Sequence, residues 1–297
     1  MSVLAAAHPQ PRTRLLGKTG LQVSALGIGT NKWQQGKNDA AVFETYRTCL
    51  DNGFTFFDTA EVYGFGKSER LLGECLRRDR RPAIIATKFA PFIVRRSKRH
   101  LLKALDASLN RLGVASIDLY YIHFPHFGNH FELADAMAEA VQAGKVHHVG
   151  VSNFGATQMR RIADRLARTN IQLAANQVHY SLLHRNPESN GVLEACREVG
   201  ASLVAYFPLA GGKLAAASGG RNARLQALPD LLARVAATHN ATPAQVALNW
   251  LLARDPCVIP IPGASHSNSA KQNIGALDWT LTAEEFAAID VASGGGR

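Results

Sequence analysis

Eight short runs rich in apolar, β-branched and aromatic residues punctuate this chain of 297 residues: SALGIG (24–29), FTFFD (54–58), AIIATK (83–88), IDLYYIH (117–123), HHVGVSN (147–153), LAANQ (173–177), SLVAY (202–206) and CVIPI (257–261). Longer stretches with apolar residues at helical spacing separate them, which is the pattern of repeated βα units around a parallel sheet. In the clearest stretch, over 97–111, Leu101, Leu102, Leu105, Leu109 and Leu112 recur at that spacing. Ser97 is placed to cap its start and Gly113 to stop it. A second helix is expected from Pro187 through Val192, Leu193 and Val199 to Gly200, and a third from Thr242 and Pro243 through Trp250. Short alternating runs around Lys18–Gly20 predict a β-hairpin ahead of the first strand.

Alternation of eight strands with helices, with no break in composition between residues 12 and 290, predicts one α/β domain, a single (β/α)8 TIM barrel. Residues 1–11 and 291–297 are expected as flexible tails. The competing architecture, an open doubly wound sheet, calls for a Gly-x-Gly-x-x-Gly turn after its first strand, and GIGTNKW (27–33) does not supply one. The Gly/Ser-rich stretch GGKLAAASGGRNAR (211–224) is expected to be a mobile loop over the site.

Composition supports one large core, with 46% hydrophobic and 19% charged residues. The net charge of +10 raises the question of an anionic partner. Its densest clusters, RRDRR (77–81) and RRSKRH (95–100), lack the interleaved aromatics of a single-strand-binding surface, so no nucleic acid is expected. They read as solvated helix faces or as a basic mouth attracting a phosphorylated ligand. No run approaches the ~20 apolar residues of a membrane helix, and MSVLAAAHPQ lacks a basic leader, so no membrane and a cytoplasmic location are expected. Cys49, Cys75, Cys196 and Cys257 are scattered and read as buried free thiols.

Three motif-like segments point elsewhere and fail on detail. EVYGFGKS (61–68) ends like a phosphate-binding loop, but begins with Glu61 where glycine is required, and a carboxylate there repels phosphate. GVSNFG (150–155) has its second glycine one place too late for a nucleophile elbow. His123, His126 and His130 are interrupted by Pro125 and lack an acidic companion, so no metal is expected.

What remains is positional. In a (β/α)8 barrel reactive groups gather at the C-terminal strand ends. Asp58, Lys88, His123, Ser152 with Asn153, Gln177 and Tyr206 end six successive predicted strands here. A tyrosine near an ammonium has its phenolate stabilised and its pKa lowered from ~10, so Lys88 is expected to act on Tyr63 in this way. Asp58 would hold Lys88 charged and oriented, and uncharged His123 would donate a hydrogen bond to a substrate carbonyl oxygen. Such a site delivers a proton to a carbonyl and requires a bound hydride donor.

FDTAEVYG (57–64), ATKF (86–89), IDLYYIHFP (117–125), VGVSNF (149–154), NQVHYSLL (176–183) and VIPIPGAS (258–265) together resemble, in order, the signature segments of the aldo-keto reductases. The resemblance covers residues 12–290. It implies a (β/α)8 barrel that binds NADPH and reduces aldehydes or ketones without metal, with Asp58, Tyr63, Lys88 and His123 as the catalytic set and Tyr63 as general acid. It further implies a cofactor site of Gly29, Thr30, Asp58, Ser152, Asn153, Gln177, Tyr206, Leu209, Gly211, Ser265 and Asn273. At the adenosine end the chain reads GASHSNSAKQN (263–273), without the lysine or arginine that many relatives use for the 2'-phosphate. Ser265, Ser267 and the following helix start, with His266 or Lys271, are the substitutes, and NADH is an alternative to NADPH. The segments 176–188 and 247–264 are similar to reductases that include the plant pyridoxal reductases. They suggest a small-molecule carbonyl such as an aromatic aldehyde, for a mouth containing Trp33, Phe65, Phe89, Phe124 and Phe127. A monomer or weak homo-oligomer is expected. The alternative function is a coenzyme-binding regulator on the same fold.

Overall fold

Sheet closure and strand register decide where the chain's polar strand ends meet. The computed structural model describes residues 12–35, 39–92, 94–126, 130–212 and 223–294. Most of the loop expected at 211–224, and Phe127, lie outside them. An antiparallel pair comes first, β1 (Thr13–Leu15) and β2 (Gln22–Ser24), turning through Lys18–Gly20. Eight parallel strands follow in chain order: β3 (Ile28–Gly29), β4 (Phe56–Asp58), β5 (Ile84–Phe89), β6 (Ile117–Ile122), β7 (Val146–Ser152), β8 (Leu173–His179), β9 (Ser202–Tyr206) and β10 (Val258–Pro260). Gly27 N donates to Pro260 O at 2.9 Å and Gly29 N to Pro262 O at 3.1 Å. With the parallel bridge between Gly29 and Gly263, these bonds join the first strand to the last and close the (β/α)8 barrel. Helices alternate with the strands around it.

Each strand's period of two sorts its side chains. Outward residues such as Phe57, Ile85, Tyr120 and Val151 pack under the helices, whereas Phe56, Ala86, Leu119, Tyr121, Ala175, Val204 and Ile259 fill the barrel interior. Leu16 and Val23 of the hairpin join that inner cluster and plug the N-terminal end. Gly150 makes room for Tyr121, whose ring atoms would lie 2.6 Å from a Cβ there. Two residues beyond the inward apolar position come Asp58, Lys88, His123, Gln177 and Tyr206, and Ser152 follows Gly150 likewise. Each stands at the C-terminal rim, and in β8 one more residue of the same parity, His179, follows Gln177.

Local signals place most helices as expected. The helix Lys98–Leu112 starts after Ser97 and ends at Gly113, whose left-handed backbone (φ 69°) lets its N–H reach Leu109 O. Thr242 caps the helix Pro243–Arg254, accepting from Gln245 N at 3.3 Å. The helix expected from Pro187 to Gly200 is two, Asn186–Ser189 and Val192–Val199. Gly191 takes φ 77° between them, and Asn190 Oδ1 accepts from Val192 N, so the chain restarts instead of continuing. The last helix, Ala283–Ala292, runs two residues into the segment expected as a tail. Among the described residues no helix is long and apolar enough to cross a membrane.

The helix Lys67–Arg78 lies close against the end of Lys98–Leu112: a Cβ on Gly73 would sit 2.6 Å from Leu112 O and 2.7 Å from Arg111 O. Gly73→Ala is therefore expected to destabilise the protein by about 1–2 kcal/mol, overpacking outweighing the ~1 kcal/mol gain in helix propensity. A denaturant midpoint equal to or above that of the parent would contradict this reading.

Candidate active site

Four side chains from three adjacent strand ends converge. Asp58 ends β4, Lys88 lies in β5 and His123 follows β6, while Tyr63 sits in the turn leaving β4. Lys88 Nζ donates to Asp58 Oδ1 at 2.5 Å and to Thr59 O at 2.8 Å, and lies 3.4 Å from Tyr63 Oη. The other carboxylate oxygen, Asp58 Oδ2, accepts from Gln177 Nε2 at 2.7 Å. Asp58, Lys88 and Gln177 are all buried. The Tyr63 turn is tight, closed by Tyr63 N to Ala60 O and Ser68 N to Tyr63 O. It runs through Gly64, Phe65 and Gly66 in left-handed conformation, with φ of 59°, 52° and 81°. Glycine relieves two of those three positions.

Burial and charge set the protonation states. The lysine pKa is raised: burial disfavours its charge, and the Asp58 carboxylate beside it, with hydrogen bonds to Asp58 and Tyr63, opposes that, so it remains an ammonium. For Tyr63, burial raises the pKa and outweighs the lowering by Lys88, so the expected lowering is not what the geometry produces. At 3.4 Å the ammonium is close, yet the phenol is partly buried in the cleft wall, and Tyr63 holds its proton. Burial, then the charge of Lys88, pushes His123 down to about 3, so its imidazole is neutral. Its Nδ1 is buried without a hydrogen-bond partner among the described residues, which favours placing the ring proton on Nε2. The Tyr63 and His123 rings meet edge to face, centroids 5.9 Å apart.

A cleft of about 740 Å³ opens over these groups, and its lining includes Gly29, Asp58, Tyr63, His123, Ser152, Asn153, Gln177, Tyr206, Leu209 and Gly211. Thr30 lies beneath, fully buried, donating to Asp58 O at 2.9 Å. Ser152 Oγ donates to Gln177 O, and Asn153 Nδ2 donates to His123 O and to Ser152 Oγ. Tyr206 Oη donates to Asn153 Oδ1 at 2.9 Å, and its ring stacks at 5.5 Å on His179. A flat ring beside a file of amide and hydroxyl groups suits a planar heterocycle carrying a carboxamide. Ser265 and Asn273 are outside this lining; Asn273 Nδ2 donates to Gly263 O, which is part of it. Of the suggested phosphate ligands, Ser267 Oγ donates to Glu44 Oε1, and His266 Nδ1 accepts from Ser269 N as the cap of the helix Ser267–Ile274.

Other lining residues escape a sequence reading. Lys32, in the 3-10 turn Asn31–Gln35, lines the cleft, as do Phe207 and Pro208. Lys32 follows the Gly29–Thr30 turn closely, and that proximity was the available signal. The expected aromatic mouth divides. Trp33 and Phe89 are core, Trp33 Nε1 donating to Ala264 O, whereas Phe65 is 94% exposed. Phe124 packs on His123 and on Phe92. In the loop-like segment EVYGFGKS, Ser68 is buried and bonded to Thr30, not presented to a ligand. Among the described residues no group of three or more His, Cys, Asp or Glu is arranged to hold a metal. A cavity of about 550 Å³ at the opposite end of the barrel, lined by Arg14, Lys18 and Cys257 among others, contains none of the four converging side chains.

Comparison with known proteins gives the site a context. Residues 25–293 match the Aldo/keto reductase family. The chain is 31% identical to the chloroplastic pyridoxal reductase of Arabidopsis thaliana, over 92% of this chain and 84% of that one. It is 34% identical to the 6-dehydroglucose reductase of Novosphingobium aromaticivorans, with 97% of each chain covered. An aldo/keto reductase from Klebsiella pneumoniae, solved in complex with NADP and acetate, superposes with a TM-score of 0.81 at 30% identity, covering 97% of both chains.

The neutral burial of His123 has a cost in acid. Its folded-state pKa of about 3 lies below the ordinary 6.5, so between those values the unfolded chain binds a proton that the folded one refuses. This group's contribution to stability is therefore intact above pH ~6.5 and is lost as the pH falls toward ~3, by at most ~1.4 kcal/mol per pH unit. In urea titrations, His123→Gln is expected to flatten the stability profile between pH ~6.5 and ~4.5 by about that slope; an unchanged slope would refute it.

Proposed function

The chain belongs to the aldo/keto reductase family, and on that premise we propose that Tyr63 is the acid that protonates the carbonyl oxygen of its substrate. The protein is an NADPH-dependent oxidoreductase that reduces carbonyl compounds. When bound, NADPH supplies the hydride. The observation that carries the assignment of Tyr63 is Lys88 Nζ, itself buried, which touches Asp58 at 2.5 Å and the partly buried Tyr63 at 3.4 Å.

The remaining roles follow from charge. As the proton leaves Tyr63 for the carbonyl oxygen, the phenolate that forms is stabilised by the Lys88 ammonium already beside it. Asp58 keeps that ammonium charged in the barrel interior, and Gln177 fixes the other carboxylate oxygen. Neutral His123, with its proton on Nε2, donates a hydrogen bond to the same substrate oxygen without competing as an acid. Gly29, Ser152, Asn153, Gln177 and Tyr206 form the end of the cleft that takes the nicotinamide, with Tyr206 as the stacking face. Leu209, Gly211 and Lys32 would hold the phosphates, and Ser265 and Asn273 would serve the adenosine end. Thr30 supports the floor from below.

The substrate is an aromatic aldehyde. Phe207 in the cleft wall and Phe124 packed on His123 support this choice, as does the likeness to a pyridoxal reductase. Residues 12–290 form the catalytic domain of a cytoplasmic protein that is monomeric or weakly associating. The coenzyme-binding regulator gains no support from the site, since none of the four catalytic side chains is missing.

Loss of NADPH absorbance at 340 nm with benzaldehyde- and pyridoxal-type substrates tests the reading. Tyr63→Phe is expected to reduce kcat by about 10³-fold or more with little change in coenzyme affinity. Wild-type protein that oxidises no NADPH across a carbonyl panel, or Tyr63→Phe that retains its rate, would remove it. Lys32→Ala is expected to raise the NADPH dissociation constant by about 5–10-fold with kcat at saturation nearly unchanged, and an unaltered constant in fluorescence titration would release Lys32 from this role.

A further inference from the structure

Tyr63 lies five residues beyond the last residue of β4. The last backbone bond from this segment to β5 is a long one, Glu61 N to Lys88 O at 3.5 Å, and no sheet bond holds Tyr63 itself among the described residues, so the barrel only weakly fixes its distance to Lys88. A second link spans the two loops. Glu61 Oε1 accepts from Ala90 N at 2.7 Å and from Arg95 Nη1 at 2.6 Å, and Glu61 Oε2 accepts from Arg95 Nη2 at 2.7 Å. Arg95 Nη1 also donates to Ala90 O at 3.1 Å, and the guanidinium lies 4.7 Å from the centroid of the Phe89 ring. Arg95 is itself held, since Phe92 and Arg95 exchange backbone hydrogen bonds in both directions. The Glu61 side chain is 10% exposed and that of Arg95 30%, so the pair is partly shielded from water and salt.

The placement is specific. Glu61 is two residues before Tyr63, and Ala90 is two residues after Lys88. We propose that the Glu61–Arg95 fork is a positioning clamp, tying the turn that carries the proton donor to the end of the strand that carries its cation and so setting the Tyr63–Lys88 separation. Both ends of the fork are fully used: two carboxylate oxygens meet two guanidinium nitrogens, and the third bond goes to the peptide of Ala90. A fork of this kind resists shear as well as stretch, which a single contact does not. Displacement of a catalytic group by ~1 Å costs on the order of 10²-fold in rate, so a loose clamp would be expressed in turnover before it is expressed in folding. Glu61 and Arg95 touch neither substrate nor coenzyme in this account and act through Tyr63. The inference rests on the reading of Tyr63 as the acid.

The test compares Glu61→Gln, Arg95→Met and the double variant with the parent protein. Expected for each single variant are a fall in kcat of about 10-fold or more, an NADPH dissociation constant within about 2-fold of the parent, and an increased solvent deuterium isotope effect as proton delivery becomes limiting. The double variant is expected to be no slower than the worse single, because both remove one clamp. Amide hydrogen exchange, read on the same proteins, is expected to quicken at Tyr63 and Ser68 while β5 stays protected. Unchanged kcat and exchange, or rate losses that multiply in the double variant, would overturn the clamp, as would a loss of turnover that tracks general loss of exchange protection. A parent that reduces no carbonyl removes the assignment of Tyr63 as the acid instead, and the exchange measurement still decides whether the fork holds the turn.

Discussion

An ammonium ion buried inside a barrel is costly unless every direction around it is answered, and Lys88 is fully buried. Asp58 neutralises it, Thr59 O accepts from it, and Tyr63 Oη lies within reach. The carboxylate that answers the lysine must itself be answered, and Gln177 reaches across from β8 to do so. Gln177 O accepts from Ser152, Ser152 Oγ from Asn153, and Asn153 Oδ1 from Tyr206, so one buried charge organises the rim from β4 round to β9. Removing any early member of this file leaves a buried polar group without a partner, which penalises disorder in the cleft more strongly than apolar packing would.

The same charge explains the contrast between neighbours in protonation. Lys88 helps to keep His123 neutral and lowers the pKa of Tyr63, yet enclosure acts on both rings and dominates. A phenol that retains its proton and a histidine that is neutral near pH 7 stand side by side because both are partly enclosed and share one fixed cation. The arrangement needs the barrel interior below it to be dry, which Phe56, Tyr121 and the Leu16–Val23 plug of the hairpin secure.

Much of this was legible along the chain. Apolar runs separated by helical stretches marked all eight barrel strands, and the period of two divides each strand's residues into two faces, because adjacent side chains on a strand must face opposite ways. Ser97, Gly113 and Thr242 marked helix ends through backbone groups that only local residues can satisfy. The helix expected across 187–200 failed at Gly191, where a left-handed residue and the Asn190 cap outweighed a continuous apolar stripe.

Distances between strands were beyond any local signal. Chemistry at the strand ends suggested that Lys88 would lower the pKa of Tyr63, but the balance between charge and enclosure depends on how many atoms surround the phenol. Trp33 and Phe89 belonged to the core and not to a mouth, and Phe207 and Lys32 to the cleft, because exposure is a property of the packed whole. Glu61, a carboxylate to which no role could be given along the chain, meets Arg95 across 34 positions. By itself the sequence determined the order of the barrel strands and the set of reactive residue types at their ends, since these follow from spacing and from bonds among near neighbours. Tertiary structure alone decided which charges touch, which rings are dry and which loops are tied together, since those depend on segments that meet only when the sheet closes.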